Sequence, residues 1–171
     1  MKIVAIDPGN HITGYAVLKN NKLIDAGLLK PYKTGLPNPI RITNICLEVV
    51  KLLDEQNPDV IVLEWTTGKV NKGRHKGGGS GLPIYGIAIG AIWMKMLCWC
   101  DDCGLDPKTE VVLIDESWTK RVSKKKRLDA LELSCPAYHR KDDKGGDMGD
   151  AILLAQYYTT RQLLVREDLG K

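Results

Sequence analysis

Residues 1–29, MKIVAIDPGNHITGYAVLKNNKLIDAGLL, decide how this chain folds. Lys2–Asp7 carries Ile3, Val4 and Ile6 with few polar positions, the pattern of a buried strand. Thr13–Leu18 and Leu23–Leu29 read as two more strands, with the turn signal Asn20-Asn21 between them. Connections this short join antiparallel neighbours, so the chain opens as a three-stranded meander.

Beyond the meander the pattern changes period. Pro31–Pro39 reads as a loop, with Asn38 as a helix N-cap and Pro39 in the first turn. Ile42, Ile45, Leu47, Val49, Leu52 and Leu53 form a helical stripe that ends near Asn57-Pro58. Val60–Leu63 is a short, wholly apolar strand, and a helix of this length between strands makes a parallel crossover. Residues 66–81, TTGKVNKGRHKGGGSG, are rich in glycine, contain no acid and read as a loop. Leu82–Cys100 is apolar nearly all round, which predicts a buried or interface helix. Glu110–Ile114 reads as a strand. Ser123 caps a helix over Lys124–Leu133, Pro136–Gly146 is polar loop, and Asp147–Leu164 is the last helix. The expectation is one α/β domain over residues 1–171, a mixed five-stranded sheet flanked by helices.

Composition narrows the class. Hydrophobic residues are 43% and charged residues 27% of the 171, which excludes a disordered chain. The 25 Lys and Arg against 21 Asp and Glu give a net charge of only +4, so the distribution of charge matters more than its sum. The N-terminal apolar run ends at Asp7 without a cleavage pattern, so no signal peptide is expected. The apolar stretch Ile84–Met94 is stopped by Lys95, short of the roughly 20 residues a bilayer requires, so no membrane association is expected. Five cysteines without secretory context point to a reduced, cytoplasmic protein. Cys98, Cys100 and Cys103, with Cys135 and His139 downstream, form a C-x-C-x₂-C run that is not the common C-x₂₋₄-C pair of zinc modules, and they read as buried thiols at a helix end.

Four acids stand at element ends. Asp7 closes the first strand and Glu64 the fourth. If those strands are parallel neighbours, both acids emerge at the carboxyl edge, where open α/β sheets place their sites. Asp147 and Asp150 share one face at the start of a helix. Four convergent carboxylates repel one another, and hard divalent ions, Mg²⁺ or Mn²⁺, relieve that repulsion. Two such ions suit phosphodiester hydrolysis.

In IVAIDPGNHITGYAVL, VIVLEW and GDMGDAILLAQ, taken in order, the chain resembles the RuvC-type Holliday-junction resolvases. The resemblance implies a ribonuclease-H-like fold, a homodimer, and metal-dependent nicking of four-way DNA junctions, with Asp7, Glu64, Asp147 and Asp150 as ligands to a pair of Mg²⁺ or Mn²⁺ ions. It also implies a lysine near the metals. Lys120, in SWTKRV, is the nearest match and Lys124 its rival. The family's loop phenylalanine is missing, since the chain has no Phe. Trp65, His75 and Tyr85 are the aromatic residues left in that region.

Two basic clusters suit a nucleic-acid partner: Lys69, Lys72, Arg74 and Lys76 in the glycine-rich loop, and Lys120, Arg121, Lys124, Lys125, Lys126 and Arg127, in a stretch 117–128 without acids. The expected activity is therefore paired, symmetric nicking of four-way junctions. A less selective branched-DNA or flap endonuclease, and a ribonuclease-H-like enzyme on RNA:DNA hybrid, are the alternatives. A partnering branch-migration motor leaves no mark in the sequence, and cellular or phage origin stays open.

Overall fold

The computed structural model describes residues 1–65, 81–106, 111–119 and 122–169. The strands are β1 (Lys2–Asp7), β2 (Thr13–Lys19), β3 (Lys22–Leu29), β4 (Val60–Trp65) and β5 (Val111–Asp115). The helices are α1 (Asn38–Gln56), α2 (Gly81–Asp102), α3 (Lys124–Ser134) and α4 (Asp147–Leu169), with short 3₁₀ turns at Glu116–Thr119 and Arg140–Asp142. The strands form one sheet in the order β3-β2-β1-β4-β5. β1–β2 and β2–β3 are antiparallel, whereas β1–β4 and β4–β5 are parallel. The mixed five-stranded sheet flanked by helices is as expected.

Local chemistry explains the turns. Asn20 and Asn21 both adopt positive φ, 50° and 65°, which a tight hairpin of the right twist requires and Asn tolerates. Asn57 ends α1 in the left-handed region and donates its N–H to the Leu53 carbonyl at 2.7 Å. Asn38 departs from expectation. It lies inside α1, Pro37 takes the cap position without a side-chain bond, and the Asn38 Oδ1 accepts from Arg41 instead.

Strand parity divides the core in two. Val4, Ile6, Val17, Ile61 and Leu63 pack on the face covered by α1 and α2. Ile3, Ala5, Ala16, Leu18, Val60 and Val62 pack on the opposite face with Leu128 and Leu131 of α3 and Ala151, Ile152, Leu154 and Ala155 of α4. In β4, two residues longer than expected, Glu64 continues the parity of Val60 and Val62.

α2 is also longer than its apolar stretch suggests. Pro83–Asp102 has the length and the mean hydropathy, 1.4, of a membrane-crossing helix. However, Ala88, Ile89, Ile92, Met96, Trp99 and Cys100 pack on α1 and the sheet, and the Trp99 indole donates to Asp54 Oδ1 at 2.7 Å. The length therefore serves packing on one side, while Ile87 and Met94 remain exposed on the other.

Candidate active site

The site is assembled by parity and by one close approach. Asp7 follows Ile3 and Ala5 on the α4 side of β1, and Glu64 follows Val60 and Val62 on the same side of β4. The parallel register pairs Ile6 with Leu63, so the two acids leave the edge as neighbours. Opposite Asp7, β2 presents Gly14. A Cβ on Gly14 would lie 2.0 Å from the Asp147 carbonyl oxygen. The missing side chain is therefore what lets the start of α4 rest on the sheet and bring Asp147 and Asp150 to Asp7. Behind Asp7, the Thr13 hydroxyl donates to the Gly9 carbonyl and accepts the Gly9 N–H, both at 3.2 Å, and closes the intervening loop.

The first turn of α4 is held by a residue that motif reading passes over. Asp143 is 2% exposed, and its carboxylate accepts from the Gly149 N–H at 2.8 Å, the Met148 N–H at 3.3 Å and the Tyr138 hydroxyl at 3.0 Å. It satisfies free N–H groups at the helix start. Its sequence signal is an acid four residues before a helix, inside a segment that reads as polar loop.

The electrostatics are those of crowded carboxylates. Burial pushes the Asp7 carboxyl well above its ordinary value of 3.8, reinforced by the charge of Glu64, a hydrogen bond with Glu64, and the charges of Asp150 and Asp147. Two cations offset this charge. Lys124 Nζ lies 2.9 Å from Asp150 Oδ2 and 3.4 Å from Asp147 Oδ1. Burial works to lower the Lys124 pKa, but the bond to Asp150 and the charges of Asp150, Asp7 and Asp147 outweigh it, so the ammonium is held charged. Arg127 Nη2 donates to Asp150 Oδ1 at 2.8 Å.

A further link runs through Trp118, which the sequence analysis did not single out. Its indole N–H donates to Glu64 Oε1 at 2.9 Å. The Arg127 guanidinium stands over the Trp118 ring at 5.5 Å, and Tyr157 of α4 packs against that ring at 5.6 Å.

Of the expected residues, the structure brings Asp7, Glu64, Asp147 and Asp150 together and adds Lys124. Lys125 and Lys126 lie exposed on the first turn of α3, whose cap Ser123 accepts the Lys126 N–H at 3.5 Å. Lys120, Arg121, Lys69, Lys72, Arg74, Lys76 and His75 lie outside the described residues. Trp65 continues the other parity and packs edge-on against Trp93 of α2 at 5.3 Å, and Tyr85 packs on that same core. The three thiols are not buried together as expected: Cys100 faces the core, whereas Cys98 and Cys103 are exposed at the end of α2.

Among the described residues, no three His, Cys, Asp or Glu side chains form a ready cage for a metal ion. Lys124 instead pairs with both Asp147 and Asp150. The donor set nevertheless fits a hard divalent ion, being all oxygen, with an Asp7 whose burial among like charges a bound cation would relieve.

No family model and no curated relative matches this sequence. Solved structures do. The Thermus thermophilus RuvC structure in complex with a Holliday junction substrate aligns at a TM-score of 0.64 and 15% identity, over 91% of each chain. A second structure of Thermus thermophilus RuvC aligns at 0.59 and 17% identity, over 91% of this chain and 92% of that one. At that identity the likeness establishes the fold: the chain has the ribonuclease-H-like architecture of RuvC.

Proposed function

We propose that this protein is a metal-dependent, structure-selective DNA endonuclease that resolves four-way junctions by paired symmetric nicks. The observation that carries this reading is the convergence of Asp7, Glu64, Asp147 and Asp150 from three elements onto one edge of the sheet. Likeness to a RuvC structure holding a Holliday junction substrate supports the choice of DNA. Asp7, Glu64, Asp147 and Asp150 would hold two Mg²⁺ or Mn²⁺ ions, which supply activation of water and stabilisation of the leaving oxygen.

The chain's own residues have complementary roles. Lys124, already at the acids, places positive charge where charge develops on the reacting phosphate. Lys120, the nearest match to the family's lysine, and Arg121 lie just before it in sequence and add positive charge to the same segment. Lys125, Lys126 and the basic loop residues Lys69, Lys72, Arg74 and Lys76 neutralise flanking phosphates, which makes binding salt-dependent. Paired nicks on a two-fold symmetric junction need two sites, so the protein acts as a homodimer. The outward face of α2 suits that contact: Ile87 is 61% and Met94 53% exposed, and Gly86 and Gly90 face open space.

The test is strand nicking on a synthetic four-way junction beside linear duplex, flap and RNA:DNA hybrid, in Mg²⁺ and in chelator. Symmetric nicks on the junction alone, lost in chelator, support the reading. Equal cutting of every branched DNA substitutes a general debranching nuclease, and cutting of the hybrid substitutes a ribonuclease H.

A further inference from the structure

The acids are supported by a unit that no motif marks. Glu64 comes from β4 and Asp150 from α4, with no covalent connection nearer than the length of chain between them. Trp118, on the 3₁₀ turn after β5, donates its indole N–H to Glu64 Oε1 at 2.9 Å. Arg127, on α3, donates Nη2 to Asp150 Oδ1 at 2.8 Å. The two residues touch, with the guanidinium 5.5 Å above the indole ring. The pair therefore bridges one carboxylate of the strand edge to one of the helix.

The bridge is itself anchored. Arg127 Nη1 donates to the Val122 carbonyl at 2.8 Å and the Thr119 carbonyl at 3.4 Å, which ties α3 to the segment carrying Trp118. The Arg127 side chain is only 15% exposed, and its Nε is buried without a hydrogen-bond partner among the described residues. An unpaired buried N–H is destabilising, so the fold accepts a penalty to keep this fork aimed at Asp150 and the two carbonyls. Tyr157 also packs against the indole, with ring centroids 5.6 Å apart, and Arg161 stands over the Tyr157 ring at 5.7 Å.

We propose that Trp118 and Arg127 are positioning residues that fix the Glu64 and Asp150 carboxylates for divalent-ion binding, which rests on the nuclease reading above. Each engages one oxygen of its carboxylate and so sets the plane in which that carboxylate presents itself. Partners of this kind typically change metal affinity or activity by 10–100-fold when removed. Arg127 also carries a second consequence. It follows the basic run directly and is bonded to the segment that precedes it, so phosphate contact at Lys124–Lys126 and carboxylate geometry are set by the same helix end.

The experiment uses the full chain with Trp118→Phe, which keeps the ring and deletes the N–H, and Arg127→Lys, which keeps the charge but cannot serve Asp150 and the carbonyls together. Calorimetric titration with Mn²⁺ in the absence of DNA is the primary readout. Melting temperature controls for folding, and junction binding in chelator controls for DNA contact. The expected result is roughly 10-fold weaker Mn²⁺ binding in each variant, with kcat falling and KM for junction unchanged. Mn²⁺ affinity within twofold of wild type in both folded variants overturns the proposal alone. A wild-type protein that binds no Mn²⁺ overturns the nuclease reading and the proposal with it. If one variant fails to fold, the other decides.

Discussion

The two faces of the sheet are built from the same strands and behave as opposites. In β1, Val4 and Ile6 enter the core under α1 and α2, whereas Ile3 and Ala5 lead on to Asp7 under α4. In β4, Leu63 belongs to the first face and Glu64 to the second. The α1/α2 face is closed by hydrocarbon: Ile45, Leu53, Ile92 and Met96 are all fully buried there. The α4 face is closed the same way over most of its length and by charge at its edge. One residue of parity separates side chains that stabilise the fold from side chains that strain it. The difference shows in where the cations sit, because Lys124 and Arg127 both turn inward onto the acidic edge.

The comparison breaks most sharply on catalysis. On the proposed reading Asp7→Asn removes a metal ligand and should lower junction nicking by roughly 10³-fold, the equivalent of several kcal/mol of charge stabilisation. Leu53→Ala, on the other face, should leave the nicking rate per folded molecule unchanged. Nicking measured at matched folded fractions checks both.

On stability the order reverses. Leu53 is fully buried among α1, α2 and the sheet, so Leu53→Ala should cost about 2–5 kcal/mol in denaturant unfolding. An equal loss on removing Asp7 would erase the distinction between the faces.

Gly14→Ala joins the two effects. Its Cβ would meet the Asp147 carbonyl at 2.0 Å and the Met148 nitrogen at 2.8 Å, both backbone atoms that cannot rotate away. α4 must lift from β2, at a cost of roughly 1–3 kcal/mol. Nicking should fall as well, since Asp147 and Asp150 move with the helix. Unfolding and nicking measured on the same preparation test the coupling.

The smallest effect is the pH dependence without metal. Asp7 has a folded pKa raised above its unfolded value of 3.8. Its contribution to stability is fully present below about pH 3.8 and is lost as pH rises through the folded value. The metal-free protein should therefore show a loss of stability above that pH which Asp7→Asn lacks. Denaturant midpoints in chelator across that range check the slope.

The four acids were legible because each depends on local pattern: strand parity for Asp7 and Glu64, an i, i+3 pair at a helix start for Asp147 and Asp150. The meander and the crossover were legible from turn residues and period. What escaped were groups whose meaning lies in distant partners. Trp118 meets Glu64 across 54 residues and Arg127 meets Asp150 across 23, and neither spacing is a pattern. Gly14 lies within IVAIDPGNHITGYAVL, but its reason, the backbone of Asp147 against β2, exists only once the helix is docked. Asp143 lay hidden in a polar segment because its N–H partners are helix-start groups rather than side chains. Motif matching put Lys120 ahead of Lys124, whereas the contact of Lys124 with Asp147 and Asp150 depends on where α3 begins and is not a spacing that a motif records.

The claim that most needs testing is that the acidic edge is strained until a cation closes it. Melting temperatures of wild type and Asp7→Asn, each in chelator and in Mg²⁺, test it directly. The account predicts that Asp7→Asn melts above wild type in chelator, and that Mg²⁺ raises wild type but not the variant, since an ion that binds only the folded state stabilises it. A wild-type protein indifferent to Mg²⁺, or an Asp7→Asn variant that melts below wild type in chelator, would contradict it.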